Sequence, residues 1–505
     1  MASASPMPKA TTSDLRDSTI SGASWQILSI VGQRCLTLFS TVALARLLLP
    51  SAYGLIGMAT VFTEALYSLQ DLGTASALIQ RQEHDDNLAS SLFWTNVVLG
   101  IIGAAVIFAS APLAAALYHE PAVGRVLAAL SVSFLIGNLG VIHRALLARA
   151  MRFRRISAVQ LSASLASVTV AVIAAACGAG VWSLVAGSTA QSATFAILYW
   201  LSSPWRPRWH IALDDLQSVT RHSGNLTASN VLEYVTRNAD KALIGRALGT
   251  IALGYYSLAY GLMMYPLFNV TMSLGNVLFP AFARLQDSNE RLGRAYLRAL
   301  TVIASVTFPL MLGLIATADL VVSIFFGQRW QPMIPIVVIL APVGMVQSLT
   351  YTAGFVYQAK SKTDWMFRWT VLESLVSLAA FVIGVRWGTV GVAAAYAISV
   401  AVLLYPGWLI VSRVVDLRIG QLASALWPVL RNAMLMFVSV LVARLAFART
   451  GWTPGSILVA TVFSGAAVYT ALLVKWRPSL LNGVLCKEDF DRFAWLRRIS
   501  GLAGH

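Results

Sequence analysis

The chain has 505 residues, of which 57% are hydrophobic and 11% are charged, with a formal net charge of +16. Soluble domains carry about 25% charged residues. So few charges cannot keep a chain of this size in water. The composition therefore excludes a soluble enzyme and predicts that the bilayer solvates most of the surface. The basic excess requires no nucleic-acid partner, because Lys and Arg gather on the cytoplasmic side of membrane proteins.

Apolar stretches long enough to cross a membrane recur along the whole chain. A membrane helix needs about 20 such residues, and the loops between the stretches are too short to hold a globular domain. The sequence therefore predicts an all-α polytopic membrane protein with about fourteen transmembrane helices. The predicted ranges, in chain order, are 22–46, 54–79, 91–113, 124–148, 156–177, 180–201, 223–246, 255–282, 298–318, 332–358, 365–385, 389–412, 424–446 and 454–474.

The distribution of basic residues predicts which side of the membrane each loop faces. If the N-terminal tail 1–21 is inside, most of the 37 Lys and Arg residues fall on the cytoplasmic side, and Arg444 and Arg449 are among the few on the opposite side. Both termini are therefore predicted to be cytoplasmic. The tail 475–505 mixes aromatic and basic residues, which predicts either a helix on the inner leaflet or a short disordered tail. The densest basic cluster comprises Arg144, Arg149, Arg152, Arg154 and Arg155.

An internal repeat occurs at an offset of 200 residues, where Arg46–Gly54 matches Arg246–Gly254. Six predicted spans separate the matched helices, so the two halves are parallel repeats, as in one class of transporter. We predict an N-lobe at 22–222, a C-lobe at 223–423 and two additional helices at 424–474. The helix before each match carries a polar stripe, and we expect both stripes to face a central cavity. The stripes are Ser29, Gln33, Thr37 and Thr41, and Ser229, Glu233, Arg237 and Lys241.

Charged side chains inside predicted spans are functional candidates, because each costs roughly 2.5–3.5 kcal/mol on insertion scales. Arg34, near the centre of the first span, is expected to meet Glu64, Asp71, water or an anionic ligand, with a salt bridge to Glu64 as the purely structural alternative. Glu64 and Asp71 share a helix face, where they either couple transport to protons or sodium or pair with Arg34. Glu373 is either a structural acid or a coupling site. Arg431 lies near the inner end of its span and is expected to snorkel to the interface.

The seventh predicted span holds four charged residues, Glu233, Arg237, Asp240 and Lys241. Neighbouring members are three or four residues apart, which allows ion pairs within one helix. The four either neutralise one another in a water-filled cavity or bind a ligand or an ion.

Several motifs resemble those of Wzx-type polysaccharide flippases, in the branch named for colanic-acid and lipopolysaccharide export. These flippases belong to the multidrug/oligosaccharidyl-lipid/polysaccharide exporter superfamily. In the first half the resemblance rests on Ala43–Gly54, Asp71–Gly73 and Ala77–Gln80. In the second half it rests on Asp240, Ile244-Gly245, Leu248-Gly249, Gly254-Tyr255, Ala259, Pro266, Phe279-Pro280 and Arg284–Asp287.

The resemblance implies a flippase that moves undecaprenyl-diphosphate-linked oligosaccharide across the bacterial inner membrane by alternating access. Such a protein has no cofactor, and its partners are the lipid-linked sugar, membrane lipids and other polysaccharide assembly proteins. By position, Arg34, Arg237 and Lys241 are candidates for the diphosphate, and Gln33 and Asn230 for the sugar. The candidates for ion coupling are Glu64, Asp71, Glu233, Asp240 and Glu373.

Two other function classes remain open. A membrane glycosyltransferase or polymerase would usually carry paired acids on a large outer loop, whereas Asp85-Asp86 and Asp214-Asp215 fall on predicted cytoplasmic loops. The sequence also lacks a phosphate-binding loop and a zinc motif, and we predict a transporter rather than an enzyme. A drug or cation antiporter of the same superfamily would have an acidic, aromatic cavity instead of one that bears arginines.

Overall fold

The computed structural model describes residues 12–67, 78, 86–209, 238–449 and 451–476. These residues form helices joined by short turns, and no strand occurs among them. Ten helical segments of this part are long and apolar enough to span a membrane. The all-α polytopic class is thereby confirmed, whereas the total of fourteen spans stays a prediction. The chain divides into two compact units, Met1–Gly254 and Tyr255–His505.

The first unit is built from antiparallel helical hairpins. Proline at the first helical position begins both α2 and α4, where a missing N–H removes no helical hydrogen bond. α6 packs against α7 and α1, and α3 packs against α4. The described helices are α1 (Thr12–Leu47), α2 (Pro50–Tyr67), α3 (Asp86–Tyr118), α4 (Pro121–Asn138), α5 (Val141–Arg149), α6 (Phe153–Ala176), α7 (Trp182–Ser202) and the first part of α8 (Ala239–Pro266).

The second unit surrounds one long helix, α10, whose Tyr296, Leu300 and Ile303 are fully buried. α11, α14 and α15 all pack on α10, so the two helices predicted as additions at 424–474 join the core of this unit. Besides the end of α8, the described helices are α9 (Met272–Ala283), α10 (Asn289–Val321), α11 (Ile334–Ala359), α12 (Thr363–Gly384), α13 (Gly388–Val414), α14 (Ile419–Ala448) and α15 (Pro454–Lys475).

Several helix boundaries differ from those predicted, for two physical reasons. Polar flanks continue a helix beyond the hydrocarbon, so α3 spans Asp86–Tyr118 where the apolar window gave 91–113. Hydrophobicity averaged over a window of residues also does not detect a local break in a helix. The predicted span 124–148 is interrupted between α4 and α5 at Leu139 and Gly140. The predicted span 255–282 contains a π-helical turn, Leu267–Thr271.

Corresponding turns in the two units have the same backbone conformation. Met151 and Ser361 both adopt positive φ, 55° and 53°, two residues after the end of a helix. The following residue closes each turn identically, with Arg152 N–H donating to Leu147 O and Lys362 N–H to Tyr357 O. Gly178 and Gly388 correspond at the same spacing, with φ of 81° and 72°. These turns are 210 residues apart, ten more than the offset of 200 between the matched motifs, and the repeat and its lobe boundaries stay predictions.

Candidate functional site

The polar stripe of α1 is hydrogen-bonded along its whole length. Gln33 Nε2 donates to Ser29 Oγ at 2.9 Å, and Thr37 Oγ1 and Thr41 Oγ1 donate to carbonyls four residues earlier. Ser29 is buried and donates to Ser157 O of α6 at 3.2 Å. One end of the stripe therefore packs against α6, whereas the amide of Gln33 is half-buried. These bonds satisfy the stripe without a ligand and leave it polar.

Arg34 lies next to this stripe and is exposed, as is Glu64 on α2. Both side chains belong to the described part of the chain, and no ion pair joins them there. The alternative in which Arg34 is neutralised by Glu64 is therefore not what the structure contains. Arg34 remains a cation in a predicted membrane span, which keeps it a candidate for contact with an anion.

A second polar cluster opens α8 at Asn238, Asp240 and Lys241. The Lys241 ammonium donates to Asn238 Oδ1 at 2.9 Å, and the Lys241 backbone N–H donates to Asp240 Oδ1 at 2.7 Å. Asn238 and Asp240 are buried, and Lys241 is half-buried. The carboxylate of Asp240 thus fixes the first turn of α8. Among the described residues, the partner of the ammonium is the neutral amide of Asn238, which leaves the positive charge in place.

α2 and the first part of α8 lie against each other in antiparallel directions. A Cβ added at Gly54 would lie 1.8 Å from Thr250 O, and one added at Gly245 would lie 3.2 Å from Met58. Continuing in this direction, Lys241 lies about 6 Å beyond Gly245 and Glu64 about 9 Å beyond Met58, at 1.5 Å per residue. The Lys241 cluster and Glu64 therefore occupy nearly the same level of the first unit.

Gly54 and Gly254 make the tightest backbone approaches in this pair of helices. A Cβ added at Gly254 would lie 2.0 Å from Pro50 O, mirroring the approach of Gly54 to Thr250. Pro50 and Thr250, like Gly54 and Gly254, are 200 residues apart, so the two repeated motifs contact each other reciprocally. We name this contact the glycine crossing. The backbone also turns sharply at Gly249 (φ 83°), as it does between α1 and α2.

The remaining predicted site residues fall into two groups. Asp71, Asn230, Glu233 and Arg237 lie outside the described residues. Glu373 lies on α12 of the second unit, where it is half-buried and engaged by a neighbouring group. Among the described residues, no cluster of His, Cys, Asp and Glu has the size of a metal site.

Two further polar contacts lie in the second unit, and the sequence alone predicted neither partner. Arg444 donates to Ala316 O at 2.8 Å and forms an ion pair with Asp319, which ties α14 to α10. The one sign of this contact in the sequence was that Arg444 is predicted to lie on the side of the membrane where basic residues are otherwise rare. Arg431 lies over the ring of Trp476 at 4.6 Å and is exposed. This contact directs the guanidinium toward the end of α15, as expected for snorkelling.

Comparisons with known proteins agree on the class. The family described as polysaccharide biosynthesis protein matches residues 43–335, more than half of the chain. The lipopolysaccharide biosynthesis protein WzxC of Escherichia coli K12 is 30% identical over 75% of this chain and 77% of its own. The teichuronic acid biosynthesis protein TuaB of Bacillus subtilis is 28% identical over 93% of this chain and 98% of its own. The succinoglycan biosynthesis transport protein ExoT of Rhizobium meliloti is 25% identical over 91% and 94%.

Solved structures agree on the fold. The lipid II flippase MurJ in an inward closed conformation superposes with a TM-score of 0.70 at 15% identity, covering 90% of this chain and 98% of its own. An inward-facing multidrug resistance transporter of the MATE family gives 0.61 at 14% identity, covering 76% and 94%. The fold is therefore that of these transporters. The family match and the similarity to WzxC show the family. The chain is a multi-pass membrane protein that belongs to the polysaccharide biosynthesis protein family.

Proposed function

We propose that the protein is a flippase that moves undecaprenyl-diphosphate-linked oligosaccharide units across the bacterial inner membrane by alternating access. The observation that carries the proposal is the Lys241 cluster on a helix of a membrane transporter fold, where the ammonium is held by a neutral amide among the described residues. The family membership supports a polysaccharide precursor as the cargo class. The names of WzxC, TuaB and ExoT refer to three different polysaccharides, so they support this class without selecting one sugar.

The chemistry of the cargo matches the residues of the first unit. A diphosphate needs positive charge in a desolvated site with hydrogen-bond donors around it. Lys241 and Arg34 supply the charge, and Gln33 supplies an amide for sugar hydroxyls. Arg237 and Asn230 are proposed for the same two roles by their positions in the sequence. The prenyl chain needs no site of its own, because the surrounding lipid solvates it.

The polar headgroup explains why a protein is needed. Moving an unpaired charge into hydrocarbon costs so much that spontaneous crossing is slow, and even an uncompensated hydroxyl costs several kcal/mol, about 4–8 on cyclohexane scales. The cluster on α8 and the stripe on α1 replace water around that headgroup. The proposed coupling residues are Glu64, Asp71, Glu233, Asp240 and Glu373, whose carboxylates exchange protons or bind sodium as the protein changes conformation.

The proposed topology follows from the charge bias. Both termini are on the cytoplasmic side, where the lipid-linked precursor is made, and release occurs on the opposite side. Other polysaccharide assembly proteins are the proposed protein partners. No step breaks or forms a covalent bond, so the protein is proposed as a transporter and not an enzyme.

The test is a flipping assay in proteoliposomes loaded with undecaprenyl-diphosphate-oligosaccharide. The wild type is compared with Lys241→Ala and Arg34→Ala, and Arg294→Ala serves as the control because it removes an exposed arginine of the second unit. We expect the first two variants to lose at least tenfold in rate and the control to retain it. If neither substitution changes the flipping rate, the protein is still a flippase, but Lys241 and Arg34 do not form its binding site. A wild type that moves no lipid-linked sugar but exchanges organic cations for protons would replace the proposal with antiport.

A further inference from the structure

The cytoplasmic end predicted for the first unit carries a continuous rim of arginine and tryptophan side chains. Arg154 of α6 lies over the ring of Trp25 of α1 at 4.9 Å. Arg155 Nη1 donates to Ser202 O at the end of α7 at 2.9 Å, which joins the two helix ends. We name the exposed arginines and the tryptophans of this end the arginine–tryptophan rim. Its members are Trp25, Trp94, Arg152, Arg154, Arg155, Arg206, Arg208 and Trp209.

The rim continues through the segment after α7. Arg206 Nη1 donates to Ser203 O and Trp205 O. Trp94 of α3 donates through Nε1 to Arg208 O at 2.9 Å and stacks on Trp209, with ring centroids 4.1 Å apart and planes 18° from parallel. Trp209 is 86% exposed, so its other ring face is open. The segment is thus fixed on α3 and presents both cations and an aromatic surface.

The described partners of the rim arginines are neutral and leave their positive charge in place. In the part of the chain that the structure describes, the contacts of Arg154, Arg155 and Arg206 are with aromatic rings and carbonyl oxygens. Arg152 and Arg208 are exposed as well. The internal hydrogen bonds orient the guanidinium groups, and further N–H groups on each remain to donate outward.

The rim lies at the level of lipid headgroups. α6 is a membrane-spanning candidate that begins at Phe153, directly after Arg152. α3 has 33 residues and is therefore about 50 Å long, whereas the hydrocarbon core is about 30 Å thick. If the excess is shared between its ends, the boundary lies about 10 Å inside the helix, close to Trp94, which is eight residues from its start at about 12 Å. Tryptophan and arginine both favour this boundary.

We propose that the arginine–tryptophan rim binds the phosphate groups of anionic phospholipids of the inner leaflet. The cations come from separate elements and are spread along the rim, which matches the many phosphates of a leaflet better than one diphosphate. The exposed face of Trp209 covers the glycerol and upper acyl region beside them. The rim anchors the first unit to an anionic surface, and this role is independent of what the protein transports.

The full-length protein is tested by thermal unfolding in neutral detergent with added phosphatidylglycerol or, separately, phosphatidylcholine. The rim variant is Arg154→Gln with Arg208→Gln, and the matched control is Arg291→Gln with Arg294→Gln, two exposed arginines of α10 in the second unit. At about fivefold per arginine, we expect the rim variant to bind phosphatidylglycerol about 25-fold more weakly and the control to bind it as the wild type does. Raised salt should weaken wild-type binding.

Further variants keep the test independent of folding. Arg154→Lys with Arg208→Lys retains the charges and should restore most of the phosphatidylglycerol effect, whereas Trp209→Leu should reduce it in the wild-type background. Equal stabilisation of the wild type by the two phospholipids overturns the proposal, as does an equal loss in the control variant. Stabilisation by undecaprenyl diphosphate but not by phosphatidylglycerol would also overturn it and assign the rim to the transported lipid.

Discussion

The glycine crossing offers the sharpest structural prediction, because the space that a methyl group would need is known. A Cβ at Gly54 would lie 1.8 Å from Thr250 O, and ordinary contact begins at about 3.4 Å. The backbones must therefore separate by about 1.6 Å, and the atom in the way is a main-chain carbonyl that has no rotamer to change. Overpacking costs typically 1–3 kcal/mol. We expect Gly54→Ala to lower the free energy of unfolding by about 3 kcal/mol, at the upper end of that range.

The control for this prediction lies on α8 itself. A Cβ added at Gly261 meets no atom within 4 Å, so Gly261→Ala gains about 0.5–1 kcal/mol of helix propensity without a clash. Thermal unfolding in detergent, followed by intrinsic fluorescence, compares the two variants directly. A Gly54→Ala variant as stable as Gly261→Ala would refute the close approach of α2 to Thr250.

The reciprocal partner provides a second measurement. Gly254→Ala must displace Pro50 O by a similar distance, since its Cβ would lie 2.0 Å away. One separation of the backbones accommodates both methyl groups, so the double variant should cost clearly less than the sum of the single variants. Additive effects would show that the two approaches are independent and would contradict a single crossing.

Three smaller predictions concern polar contacts. Arg444→Ala removes the ion pair with Asp319 and should lower the free energy of unfolding by about 1 kcal/mol, because both side chains are partly exposed. Limited proteolysis of α14 measures this effect, and Asp319→Asn is expected to cost less. Asn238→Leu removes the acceptor of the Lys241 ammonium, and we expect flipping to slow severalfold with little change in thermal stability. Ser29→Ala breaks the bond from α1 to α6 and should cost about 1 kcal/mol in unfolding free energy.

The sequence predicted the helical class well because hydrophobic length is a direct physical requirement of the bilayer. The ends of α12 and α13 fall within a few residues of the predicted 365–385 and 389–412. Features that depend on single residues were less accessible. The break at Gly140 and the π-helical turn at Leu267–Thr271 depend on local packing that an apolar average does not register. The sequence pattern also could not predict which groups surround each charged side chain.

The charged candidates illustrate this difference. Arg34 and Glu64 were plausible partners because both lie in adjacent predicted spans, yet helix rotation decides whether two such side chains meet, and the described structure keeps both exposed and unjoined. Lys241 was predicted either to be neutralised by neighbouring charges or to bind a ligand or an ion; among the described residues its ammonium contacts Asn238, three residues earlier, whereas Glu233 and Arg237 lie outside the described part. The repeat was visible because its glycines recur in register. Their reciprocal contact was not visible, because sequence offset alone carries no distance.

The crossing joins α2, which carries Glu64, to α8, which begins at the Lys241 cluster, and this arrangement links stability to transport. From Gly54 to Glu64 the distance along α2 is about 15 Å at 1.5 Å per residue. A separation of about 1.6 Å at the crossing tilts α2 against the start of α8 and displaces the level of Glu64 and Lys241 by a comparable amount. Misplacement by about 1 Å can cost a hundredfold where geometry must be exact, and ligand binding is less sensitive. We therefore expect Gly54→Ala to slow flipping about tenfold per folded molecule, measured in proteoliposomes at a temperature where the variant is fully folded. Unchanged flipping by that folded variant would show that the crossing only stabilises the first unit and that the charged level does not depend on it.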